Sequence, residues 1–114
     1  MTWPPKVGEQ LPGGSEAWCA EAEWADWILA DRGHAKEWAR VFHVDLTDRE
    51  RVWHAIASTS LDAQIDTARE APDGITCGLV VDITLGQRTA RVRIVWHYAH
   101  EGAAPRLVTA YPTL

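Results

Sequence analysis

Near residue 60 the spacing of the apolar side chains changes period, and that change does most to restrict the fold. Before it, apolar residues recur at intervals of three and four, the repeat of a helix face; after it they alternate, the repeat of a strand. Ala17, Ala20, Trp24, Trp27 and Ile28 share one helical stripe. Trp38, Val41 and Phe42 form a second, and Val52, Trp53 and Ile56 a third. Between residues 89 and 98, Val92, Ile94, Trp96 and Tyr98 fall on one side of an extended chain, with Arg91, Arg93, Val95 and His97 on the other. Helices first and a meander second predict an α+β domain, with about three N-terminal helices packed on one face of a four-stranded antiparallel sheet.

The boundaries follow from capping and turn chemistry. Residues 1–14 hold Pro4, Pro5, Pro12, Gly8, Gly13 and Gly14 and read as an extended lead-in. Residues 15–57 read as helical. A first helix over 15–32 is opened by Ser15 and closed at Gly33, and a second covers about 34–43. A third starts after Thr47, where Glu50 three residues on completes a capping box, and ends near Ala57 before Ser58, Thr59 and Ser60. Residues 62–112 read as sheet, with strands at 64–70, 75–84, 89–98 and 106–111. Pro72-Asp73-Gly74 and Gly86-Gln87 supply turns, and Gly78 reads as a bulge. On the last strand Leu107, Thr109 and Tyr111 are expected to share a face. A chain of 114 residues is one domain.

Seven Trp stand against two Tyr and one Phe, and most of the seven are expected to fill a small core. The net charge of −5, from 16 acidic and 11 basic residues, excludes a non-specific grip on nucleic acid, which rests on Lys and Arg contacts to phosphate. The charge is uneven. Glu16, Glu21, Glu23, Asp26 and Asp31 crowd the first helix, whereas Arg88, Arg91, Arg93 and Arg106 face only Glu101 in the later strands. Cys19 and Cys77 lack metal-ligand spacing and are expected as reduced thiols. The N-terminus has no signal-peptide pattern and no apolar run reaches membrane-spanning length. A cytoplasmic location without membrane attachment is the expectation.

The chain carries no Gly-rich phosphate loop, HExxH, GxSxG or CxxC, and no cofactor or metal is expected. Its chemistry-bearing groups are phosphate-compatible. His34 and Lys36 sit at a helix N-terminus, where unpaired N–H groups favour anions. Arg91, Arg93 and His97 line one face of one strand, and Thr109 and Tyr111 one face of another. A histidine can move a proton near neutral pH, Lys or Arg can stabilise a phosphorane, and hydroxyls can position a phosphate. Each also has an ordinary structural role: a cap for His34, a solvated sheet face for the arginines, strand propensity for Thr109 and Tyr111.

The ending PRLVTAYP (residues 105–112) follows Val92, Arg93, Val95 and Trp96 and the turn Gly86-Gln87-Arg88-Thr89. With Leu11-Pro12 and the Gly33, His34, Lys36, Phe42 series, it resembles a bacterial domain family found at the C-termini of polymorphic toxins. The Thr-x-Tyr-Pro ending is also similar to ribonuclease toxins of contact-dependent inhibition systems, of the barnase–EndoU–colicin–RelE group. The resemblance implies N-terminal helices on a four-stranded antiparallel sheet and a metal-independent endoribonuclease. It implies catalytic roles for His34, Thr109 and Tyr111, with Lys36 and Arg93 as basic partners; the residue pattern adds His97 to the catalytic set and Arg91 and Arg106 as RNA-phosphate contacts. The implied partners are RNA, including tRNA, and a cognate immunity or antitoxin protein. Two alternatives stand beside it. One is a non-enzymatic binding module of the same fold; the other is an immunity protein whose acidic first helix caps a basic partner.

Overall fold

The computed structural model describes residues 3–24 and 33–113. Its centre is a four-stranded antiparallel meander, with strands β1 Thr67–Ala71, β2 Gly74–Leu85, β3 Arg88–Tyr98 and β4 Arg106–Pro112 adjacent in chain order. Pro72-Asp73 and Gly86-Gln87 close the two tight hairpins at the expected places. The first strand starts later than its pattern suggested, because Gln64 bridges back to Gln10 and Ile65 turns into the core.

Cross-strand register explains the core. Ile75, Cys77, Leu79 and Val81 of β2 lie opposite Tyr98, Trp96, Ile94 and Val92 of β3, and all eight are buried. Alternating side chains point to opposite faces, so these eight form one apolar face. Trp96 donates its indole N–H to Ser60 Oγ at 3.3 Å, and edge-to-face ring contacts run from Trp96 through Trp53 to Trp24.

Among the described residues two helices exceed one turn, α1 Ala35–Phe42 and α2 Arg49–Asp62, against the three expected. α1 buries Trp38 and Phe42, four apart and therefore on one side. Trp38 is fully enclosed and donates its indole N–H to the Ala110 carbonyl of β4 at 2.9 Å. Residues 25–32 of the expected first helix, with Trp27, Ile28, Asp26 and Asp31, lie outside the described residues. Its start is corrected. Ser15 lies in a short 3-10 turn, Gly14–Glu16, and Trp18 then runs extended, bridging Arg106 in parallel before a helical turn opens at Glu21.

Two further corrections concern α2. Its entry is capped by Asp45 and Asp48 around a 3-10 turn, Leu46–Asp48, and not by Thr47 and Glu50. The Thr47 hydroxyl and amide both donate to the Asp45 carboxyl and hold it below the usual carboxylate range. At the other end Ser58 and Thr59 do not stop the helix. Their hydroxyls bond back to the His54 and Ala55 carbonyls, so the helix continues to Asp62 and buries Ser60.

Gly78 is not a bulge. It keeps register with both neighbours, Thr67 and Val95. A Cβ there would stand 2.4 Å from Thr67 Oγ1 and 3.1 Å from Arg93 Nη2, so the glycine makes room for side chains crossing the sheet. The bulge lies in β4. Val95 pairs with Thr109 but Trp96 pairs with Leu107, leaving Val108 extra. Leu107 therefore turns into the core while Thr109 and Tyr111 face the other way, which corrects the expectation that all three share a face.

Candidate functional site

The second face of the sheet carries most of the chemistry-bearing residues, in rows set by register. One row runs Arg106, His97, Thr76 across β4, β3 and β2. The next runs Thr109, Val95, Gly78 and on to Thr67 of β1. The third runs Tyr111, Arg93, Val80, and the last pairs Arg91 with Asp82. His97, Arg93, Thr109, Tyr111, Arg91 and Arg106 thus share one face.

His34 joins them from outside the sheet. It is the residue before α1, and its ring stacks on Tyr111 with centroids 4.4 Å apart and planes 24° from parallel. Trp38, one helical turn on, is anchored to Ala110 beside Tyr111, so a core contact sets the position of the histidine. His34 Nδ1 is buried without a hydrogen-bond partner and lies 3.6 Å from Glu37 Oε1, just beyond bonding range. That carboxylate can orient the imidazole with Nδ1–H toward it, leaving Nε2 for proton exchange. Neither the Thr109 nor the Tyr111 hydroxyl bonds to another described residue.

Other members are already engaged. The Arg93 guanidinium crosses Gly78 toward Asp66, 3.9 Å away, so at rest it leans toward β1 and away from the β4 hydroxyls. Arg91 faces Asp82 at 3.5 Å, both largely exposed, a pair worth little in water. His97 has both ring nitrogens at bonding distance, Nε2 to the Asp73 carbonyl at 3.0 Å and Nδ1 to Thr76 Oγ1 at 3.4 Å. A neutral ring protonated at Nε2 satisfies both, so His97 ties the β1–β2 turn to β3.

Lys36 is not brought to this face. It is exposed and lines a separate hollow with Ala39, Val44, Asp45 and Leu46. Position 36 lies about 200° around the helix from the inward Trp38. A hollow of about 670 Å³ lies elsewhere again, between α2 and the end of β2, bordered by Arg51, His54, Asp82 and Thr84.

The sequence patterns missed three participants. Asp66 precedes β1 and shows no motif. Glu37 is an ordinary first-turn acid. Trp18 falls inside the first helix expected over 15–32 but pairs with β4. Only the Gly78 interruption of a β-branched run hinted that something crosses the sheet there.

Comparison of the chain with protein-family models, with curated proteins and with solved structures finds no match in any of the three.

Proposed function

We propose that the chain is a metal-independent endoribonuclease, toxin-like in type, whose site is the Thr109–Tyr111 face of β4 with His34. The observation that carries the reading is the His34–Tyr111 stack, with Nδ1 beside Glu37 and two unbonded hydroxyls next to it. His34 Nε2 takes the proton from a ribose 2′-hydroxyl as its oxygen attacks the adjacent phosphorus. The bond to the 5′-oxygen breaks, and the Tyr111 hydroxyl protonates that oxygen. The products are a 2′,3′-cyclic phosphate and a 5′-hydroxyl end, and proton exchange with water resets both side chains. Thr109 donates to a non-bridging oxygen. Arg93 swings from Asp66 to the phosphate, a move its long side chain allows.

The reading takes α1 and α2 to cover the apolar face together, which leaves the other face to RNA; the Trp38–Ala110 and Trp96–Ser60 bonds support this. It also takes Arg106 and Arg91 as phosphate contacts outside the reacting centre. The toxin-family resemblance of the PRLVTAYP ending points the same way, and a cognate immunity protein that covers this face belongs to the reading.

A second reading is favoured by one observation. Arg93 and Arg91 each face an Asp of the same chain, and the net charge is −5, which suits a binding module without catalysis. Incubation of the purified protein with total RNA separates the two. The ribonuclease reading expects fragments with cyclic-phosphate ends, lost in His34→Ala. Intact RNA with the wild type leaves only the binding module.

A further inference from the structure

We propose that Trp18 is a stacking platform for an unpaired nucleobase of the RNA strand; this rests on reading the β4 face as an RNA site. Five of the indoles, Trp3, Trp24, Trp38, Trp53 and Trp96, belong to the core or pack on it. Trp18 does not, and 47% of it is exposed. Its ring face is therefore open to a ligand, which the enclosed indoles are not.

The main chain holds this indole in a defined place. Trp18 N donates to the Pro105 carbonyl at 3.1 Å, and Leu107 N donates to the Trp18 carbonyl at 2.8 Å. The resulting parallel bridge pairs Trp18 with Arg106. Bridged residues project to the same side, so Trp18 extends the Arg106, His97, Thr76 row on the same face as Thr109 and Tyr111. The indole N–H bonds to no other described residue.

The neighbours select the ligand. In its row Arg106, His97 and Thr76 are basic or polar, which suits a polyanion better than an apolar protein segment. An indole face accepts any base, because every base has a π surface. Along β3 the Trp18 row, at His97, lies four residues from the Tyr111 row, at Arg93, or about 13 Å at the usual strand rise. An extended single strand with its reacting phosphate at His34 and Tyr111 would then present a neighbouring base to Trp18. A duplex could not, since its bases are stacked on one another.

The test uses the full chain and a 2′-O-methyl decaribonucleotide, which cannot be cleaved, with binding read by fluorescence anisotropy. Trp18→Ala should weaken binding about 10-fold or more, and Trp18→Tyr should recover most of it. An oligonucleotide of the same length without bases should bind wild type and Trp18→Ala alike. The main-chain bonds at residue 18 survive both substitutions, and circular dichroism checks the fold. Unchanged affinity in Trp18→Ala, equal loss on the base-free probe, or no binding by the wild type would each overturn the proposal. Because this probe is not cleaved, its outcome is independent of catalysis: Trp18-dependent binding without RNA cleavage would sink the ribonuclease and keep the platform.

Discussion

Strand β3 presents two faces built from alternate residues of one stretch, and they behave differently. Val92, Ile94, Trp96 and Tyr98 are buried, and each faces a buried partner or the core. Arg91, Arg93, Val95 and His97 are at least partly exposed, and their partners are an Asp, a glycine gap and a turn carbonyl. Packing decides the first face, where volume and enclosure leave few alternatives. The second is decided by polar contacts of low individual worth, the kind a ligand can replace. The difference teaches where stability and function should separate in this chain.

The largest break in that comparison should come from Trp96→Ala. It empties a fully buried site and strips Ser60 of its donor, and about 3–5 kcal/mol of stability should be lost in urea unfolding. Arg91→Ala, from the other face of the same strand, should change stability by less than about 0.5 kcal/mol. Similar losses in both would erase the distinction.

Deletion of Val108 should come next. Without the extra residue, either Leu107 must leave the core or Thr109 and Tyr111 must turn into it. A clear drop in melting temperature is expected, and a variant as stable as wild type would remove the bulge from the account.

Gly78→Ala probes the gap beneath Arg93. Its Cβ would meet Thr67 Oγ1 and Arg93 Nη2, so a loss of about 1–3 kcal/mol is expected. Thr67→Ala in the same chain should recover part of it, and additive losses would place the strain elsewhere.

Smaller still is Trp38→Phe, which keeps most of the ring but removes the bond to the Ala110 carbonyl. About 1 kcal/mol should go, with weaker His34–Tyr111 stacking as the local consequence. The mildest probe is alkali. Burial pushes the Cys77 thiol up to about 11 from an unfolded value near 9. Burial, and then the charge of Cys77, also raise Tyr98, whose hydroxyl donates to the Pro12 carbonyl. Between those values the unfolded chain releases a proton that the folded chain keeps. Stability should therefore fall as pH rises from about 9 to about 11, and less so in Cys77→Ala.

The same contrast explains what was legible from residues alone. The alternation of Val92 through Tyr98 announced β3 and its buried face, because burial acts on every second residue. The Asp73 and Gly86 turns were legible for a similar local reason. The bulge at Val108 was not: it depends on how β4 meets β3, and it moved Leu107 off the face of Thr109. The continuation of α2 through Ser58 and Thr59 was hidden because their hydroxyls satisfy helix carbonyls as readily as they break helices. On the candidate face, residue types pointed to His34, Arg93, Thr109 and Tyr111. They could not show that Lys36 lies on the far side of α1, or that Trp18 and Asp66 border the face.

The most direct measurement is RNA cleavage by wild type and by Thr109→Val, each paired with a thermal melt. The substitution keeps shape and removes one hydroxyl that bonds to no described residue. The account predicts cleavage by the wild type, a loss of about 100-fold or more in the variant, and nearly equal melting temperatures. Undiminished cleavage in the variant, or none in the wild type, would contradict it.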